Sequence, residues 1–226
     1  MIEEPRISEA GILSGAEISD QSIAGRIKFE PELDFTRLNP ASYDLTLGKY
    51  VAVYRNAVYF VDGSSVVNVY EEGDARRHVD HGNNMYPGQG KPLDSRKRNK
   101  TWLFEMEAEG WLLKPGIGYL MHTAERICTE DFVPVLDGKS SLGRLFMTAH
   151  VTAGYGDPGF DGQYTLEVVV TQPVIVYPGM RFCQIRFHTL VGRRSDYKKS
   201  GGHYVGATAE GPVPSMSWKQ FEEQQR

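Results

Sequence analysis

Residues 101–129, TWLFEMEAEGWLLKPGIGYLMHTAERICT, place two apolar stretches on either side of Lys114-Pro115-Gly116. In such a turn Pro presets the first central residue and Gly accepts the positive φ of the second. The same punctuation returns at Asp157-Pro158-Gly159 and Tyr177-Pro178-Gly179. Between and after these turns lie TLEVVV, PVIVY and RFCQIRFHTL, dense in β-branched and aromatic residues. Short, evenly spaced strands of this kind predict a mainly β fold, as a sandwich, jelly roll or distorted barrel.

Upstream the period changes. Residues 8–28, SEAGILSGAEISDQSIAGRIK, carry apolar residues at roughly helical spacing and predict one or two short N-terminal helices, with Ser8 and Ser19 as N-caps. Residues 41–54, ASYDLTLGKYVAVY, alternate as a strand pair does. Residues 62–100 are polar and rich in turn formers, and include the basic run Arg96-Lys97-Arg98-Asn99-Lys100. They read as a solvated loop or hairpin extension rather than a nucleic-acid patch. His78-Val79-Asp80-His81 reads as solvated rather than metal-ligating. The tail 198–226 is Gly/Pro-rich and reads either as a disordered end or as a segment that closes over a site.

The chain of 226 residues has the length of a single domain with a sizeable core. Its net charge of −4 supplies no chain-wide positive field for duplex nucleic acid, so any anionic ligand must meet local cations or a metal. No apolar run reaches the length of a membrane span, and the acidic start MIEEPRISEAG lacks signal-peptide order. Cys128 and Cys183, the only cysteines, read as reduced core residues of a soluble, cytoplasmic protein.

The chemistry concentrates in residues 138–167, GKSSLGRLFMTAHVTAGYGDPGFDGQYTLE. Lys139, Ser140, Ser141 and Arg144 bring two cations and two hydroxyls together, a set that can hold a phosphate. Asp157 sits in a Pro-Gly turn, where a carboxylate can accept from a sugar hydroxyl. Glu167 lies between apolar strand residues, where a carboxylate is either paired or functional, because burying it alone is costly. An ion pair between Arg144 and Glu167 and a catalytic Glu167 remain equal alternatives on pattern. The His-x-Glu…Pro-Cys-x-x-Cys signature of zinc deaminases is absent, as are a Walker loop and a dinucleotide-binding glycine pattern.

This segment resembles the dCTP deaminase branch of the dUTPase superfamily. The resemblance rests on Lys139-Ser140-Ser141-Leu142-Gly143-Arg144, Thr152-Ala153, Asp157-Pro158-Gly159-Phe160-Asp161-Gly162 and Leu166-Glu167 at the family's intervals. Pro40-Ala41-Ser42-Tyr43-Asp44-Leu45-Thr46-Leu47-Gly48 upstream and Tyr177-Pro178-Gly179-Met180 through Gln184 downstream match two further motifs. The likeness covers most of the chain as one domain, 1–226, apart from residues 56–100, which resemble an insertion, and a flexible C-terminal lid at 198–226.

The resemblance implies a distorted jelly-roll barrel of the dUTPase-like type, assembled as a homotrimer with sites between subunits. It implies zinc-free hydrolytic deamination of dCTP to dUTP and ammonia in pyrimidine deoxynucleotide metabolism, with Mg²⁺ carried on the triphosphate. Glu167 falls on the catalytic glutamate that activates water. Ser140 and Arg144 fall on residues that position the water, the glutamate or the phosphates, and Ala153 where a small side chain leaves room for pyrimidine and water. Asp157 falls on the deoxyribose contact. Lys139, Ser141, Gln184 and Tyr204 are expected to bind substrate, with no metal ligand assigned among the protein side chains.

The alternatives are a bifunctional enzyme that carries dCTP to dUMP and pyrophosphate, with dUTP or dTTP as further ligands, and a nucleotide-binding trimer without turnover. Three positions depart from the family pattern. Val170 stands where Asn is usual, Phe146 where Gly is usual, and Ala207 where the lid carries Gln. They leave open a preference for a modified cytosine nucleotide.

Overall fold

The computed structural model describes residues 10–63, 65–67, 79–88, 92–193, 195, 197, 200–204 and 211–223. Helix α1 (Gly15–Ile23) precedes strands β1 (Lys28–Glu30), β2 (Leu38–Asn39), β3 (Ser42–Thr46), β4 (Tyr50–Tyr54), β5 (Val58–Asp62), β6 (Ser65–Val67) and β7 (Met85–Pro87). Strands β8 (Thr101–Glu105), β9 (Trp111–Leu113), β10 (Tyr119–Cys128) and β11 (Phe132–Gly138) lead into the short helix α2 (Ser140–Gly143). Strands β12 (Asp161–Val168), β13 (Val174–Val176) and β14 (Arg181–Thr189) follow, and α3 (Lys219–Glu223) comes last.

The mainly β class expected from the sequence is the one observed, as two principal sheets with smaller ones beside them. One has the order β1-β10-β4-β8, with β12 on the other side of β10, and the second has the order β11-β14-β3-β2. Phe29 of the first sheet packs on Tyr43 and Phe187 of the second, with ring centroids 4.9 and 6.2 Å apart, so the core lies between the two sheets. Tyr43, Tyr119, Phe182 and Phe187 are almost wholly excluded from solvent and dominate the burial that drives the two sheets together.

Two local expectations change. α1 is capped by Ser14, whose side chain accepts from Glu17 N, while Ser19 lies inside the helix. Ser8 lies outside the described residues. The 41–54 stretch does form two strands, but they do not pair with each other: β3 joins β14 and β4 joins β10. The chain crosses between sheets at Leu47-Gly48-Lys49, where the His122 ring rests against Gly48; a Cβ there would lie 2.0 Å from His122 Cε1. Gly48 N donates to His122 O, and Tyr50 N to His122 Nε2, so a buried histidine satisfies the corner's backbone.

Within 56–100 the described residues form a small sheet of their own, β6-β5-β7, anchored by buried Val58, Phe60 and Met85. All three Pro-Gly turns carry glycine at positive φ, as their sequence requires. Among the described residues, no helix is long and apolar enough to cross a membrane.

Candidate active site

β12 alternates, so Gln163, Thr165 and Glu167 share one face while Leu166 and Val168 are buried on the other. Its pairing with β10 shifts register between His122 and Arg126. At that irregularity the Thr123 hydroxyl accepts from Tyr164 N at 3.0 Å and donates to Glu125 O, occupying backbone groups that the ladder leaves free.

The Gln163–Glu167 face forms one wall of a cleft of about 530 Å³, whose lining includes Glu167, Thr165, Ala153, Asp157, Tyr204 and Leu93. Glu167 is half-buried, and its Oε2 lies 3.4 Å from Val151 N, the donor reaching it from the loop before Ala153. Among the described residues no ion pair joins Glu167 to Arg144, which is exposed at the C-cap of α2, so the pairing alternative raised by the sequence is not realised within one chain. Asp157 is exposed, in the turn that ends at Gly159 (φ +90°).

The C-terminal segment lies across this cleft. Gly211 N donates to Gln163 Oε1 at 3.1 Å, Val213 N to Thr165 Oγ1 at 2.9 Å and Ser215 N to Tyr54 OH at 3.0 Å. Burial pushes the Tyr54 phenol above its usual range, and the hydrogen bond from Ser215 N opposes that shift. Tyr204 OH accepts from Met216 N, tying the two halves of the tail together. The far end is held by Ser95 and Arg96. Ser217 Oγ donates to Ser95 O at 2.9 Å, and the Arg96 guanidinium lies 5.4 Å from the Phe221 ring centroid. Val205, Gly206 and Ala207 of the expected lid motif lie outside the described residues.

The cleft thus gathers Glu167, Ala153, Asp157 and Tyr204 of the expected site residues. It does not gather Lys139, Ser140, Ser141, Arg144 or Gln184: Gln184 lies on β14 of the second sheet, and the others lie in or beside α2 at the end of β11. Ser42 Oγ donates to Gln184 Oε1, and Gln184 Nε2 donates to Gly138 O at 2.9 Å. Lys139 is ion-paired with buried Asp44. The physical reason is connectivity: α2 follows β11 directly, whereas Glu167 rides on β12 in the other sheet.

Thr165 and Gln163 were not singled out from sequence, although stepping back by two from Glu167 finds both. Leu93 and Tyr54 arrive through tertiary packing and carry no local signal. Among the described residues, no group of three or more His, Cys, Asp or Glu side chains forms a metal site.

A family model described as dCTP deaminase-like matches residues 12–190. A protein of Leptospira biflexa called "dCTP deaminase, dUMP-forming" is 38% identical over 211 residues, spanning 93% of this chain and 98% of its own. Proteins of the same description from Hathewaya histolytica and Clostridium beijerinckii are 37% and 36% identical, again over 93% of this chain and 99% of theirs. The crystal structure of 2′-deoxycytidine 5′-triphosphate deaminase from Agrobacterium tumefaciens superposes with a TM-score of 0.53 at 24% identity. That match covers 80% of this chain and 49% of the other, and it speaks to the fold.

Proposed function

The chain belongs to the dCTP deaminase-like family, and from that membership and the cleft geometry we propose that it converts dCTP to dUMP, ammonia and pyrophosphate. This departs from the simpler expectation of dUTP as the released product. The relatives' shared description as dUMP-forming favours the bifunctional alternative. The observation that carries the reading is Glu167, half-buried in the wall of a cleft that also holds Ala153 and Asp157.

In the proposed reaction the Glu167 carboxylate takes a proton from water as its oxygen bonds to the amino-bearing ring carbon. It then passes that proton to the departing nitrogen, so ammonia leaves and the ring carbon keeps the oxygen. Ala153 leaves room for pyrimidine and water, and Asp157 accepts from the deoxyribose hydroxyl. A second water attacks the α-phosphorus, and the bond to the bridging oxygen breaks to release pyrophosphate. The reading includes a magnesium ion carried on the phosphate oxygens, which when bound would neutralise triphosphate charge.

Lys139, Ser140, Ser141, Arg144 and Gln184 act on the triphosphate and water of a neighbouring subunit in a homotrimer. Each chain then supplies a Glu167 half-site and an α2 half-site. Exposed Leu145, Val151 and Tyr155 between the two halves suit burial against another copy. The reading carries a cytoplasmic location, where thiols such as Cys128 and Cys183 remain reduced.

The test is purified protein with dCTP and Mg²⁺, with nucleotides separated by anion exchange and ammonia and pyrophosphate assayed in parallel. Equimolar dUMP, ammonia and pyrophosphate are expected, and Glu167→Gln should retain nucleotide binding while losing ammonia release by about 10²- to 10⁴-fold. Accumulation of dUTP would return the reading to a simple deaminase, and binding without products would reduce it to a nucleotide-binding protein.

A further inference from the structure

On the second sheet, Asp44 is a carboxylate with 2% exposure and three partners. Its Oδ1 accepts from Asn39 Nδ2 at 2.8 Å and from Lys139 Nζ, and its Oδ2 lies 3.6 Å from Arg181 NH1. The Lys139 side chain is 21% exposed, and that of Arg181 is 51% exposed. Lys139 is therefore the more enclosed cation and the one in direct contact. A buried carboxylate without a cation is costly, so the pair holds both groups in one geometry.

The backbone just before Lys139 is held by Gln184 of β14, which β3 in turn fixes. Asp44 and Gln184 are register partners, as are Gln184 and Asp137. Ser42, two residues from Asp44 on the same face, donates to Gln184 Oε1, and Gln184 Nε2 donates to Gly138 O. β3 thus holds Lys139 directly through Asp44 and Gly138 by way of Gln184, just before the chain turns into α2. An ammonium has three donors, and Asp44 takes one, which leaves two for a phosphate oxygen.

We propose that Asp44 is a positioning residue for triphosphate binding: it fixes the Lys139 ammonium, and through it the entry to α2, in the orientation that meets the phosphates. The inference rests on the nucleotide-triphosphate reading above and assigns Asp44, which no motif role covers, a part in it. Asp44 touches neither substrate nor reacting atoms. Its effect passes through Lys139.

The experiment titrates inorganic tripolyphosphate with Mg²⁺ into the full-length protein, as wild type, Asp44→Asn, Lys139→Met and the double variant, by calorimetry. Each single variant is expected to weaken binding by about tenfold, with the double variant within about twofold of Lys139→Met alone. Wild-type affinity in Asp44→Asn, additive losses approaching about a hundredfold, or no binding by wild type would each overturn the proposal.

With dCTP, KM should rise in Asp44→Asn by a larger factor than kcat falls, because Lys139 meets the triphosphate rather than the reacting ring. A merely structural role would lower the melting temperature and the active fraction without moving KM. The probe lacks a base, so the two readings fail separately. The expected cycle without dCTP turnover sinks the deaminase reading alone, and dCTP turnover with additive losses sinks this inference alone. If circular dichroism shows Asp44→Asn unfolded, Asn39→Ala keeps the carboxylate and loosens it. It should weaken tripolyphosphate binding by about threefold in the wild type and not at all beside Lys139→Met, and any other pattern overturns the proposal.

Discussion

Replacing Thr165 by Val removes one hydroxyl from the middle of the tail's attachment to the cleft wall and leaves the shape of β12 almost unchanged. Thr165 Oγ1 accepts from Val213 N at 2.9 Å, flanked by the Gly211–Gln163 and Ser215–Tyr54 bonds at 3.1 and 3.0 Å. All three join a tail backbone N–H to a side chain, so no strand ladder adds cooperativity to them. Each is worth about 1 kcal/mol net, and losing one should raise the open fraction of the tail about fivefold.

Hydrogen exchange read by mass spectrometry over residues 211–217 measures that opening directly. Thr165→Val should speed exchange there by about fivefold, and Thr165→Val with Tyr54→Phe by about thirtyfold. Peptides from β10 and β14 should be unaffected. Unchanged protection at Val213, or faster exchange spread through the sheet, would refute the idea that the tail opens as its own unit. The functional consequence is water access, since Val213 and Ser215 line the cleft that holds Glu167.

Three further outcomes follow from the packing. Burial raises the Tyr119 phenol from 10.0 to about 12, opposed by the hydrogen bond from Lys114 N. Its folded pKa exceeds the unfolded one, so its contribution is complete below pH 10 and fades as pH climbs through 12, about 3 kcal/mol in all. Tyr119→Phe should flatten that part of the alkaline decline in urea melts run from pH 9 to 12, and an unchanged slope would refute it.

Phe146 holds φ +54° with its ring 63% exposed, a conformation that glycine adopts without strain. Phe146→Gly should leave chemical stability unchanged or raise it by up to about 1 kcal/mol, and a loss beyond about 1 kcal/mol would show that the ring is packed. Glu125, 1% exposed, receives Arg37 NH1, Thr46 N and Thr46 Oγ1. Glu125→Gln should cost about 1–3 kcal/mol in the same melts by removing the buried partner of Arg37, which keeps Asp34 at 3.4 Å, and an unchanged stability would show that the network repacks.

Phe146 also explains one departure from the family pattern: glycine is usual there because the chain after α2 turns through the left-handed region. The sequence shows the substitution, but only the backbone shows what it strains.

The sequence by itself determined what depends on neighbours in the chain. The three Pro-Gly turns, the strand runs of 119–128 and 181–189, and the motif order from Lys139 to Glu167 all follow from short-range sterics and alternation. Tertiary structure decided what depends on which strand lies beside which. The 41–54 stretch looks like one hairpin, yet its two strands enter different sheets, because both are buried along their middles and each needs a different long strand as partner. The site motif reads as one continuous unit but divides between β12 and α2 for the same reason. Local periodicity records which residues face inward, and only the long-range pairing of β10 with β12 and of β14 with β3 settles where each one faces.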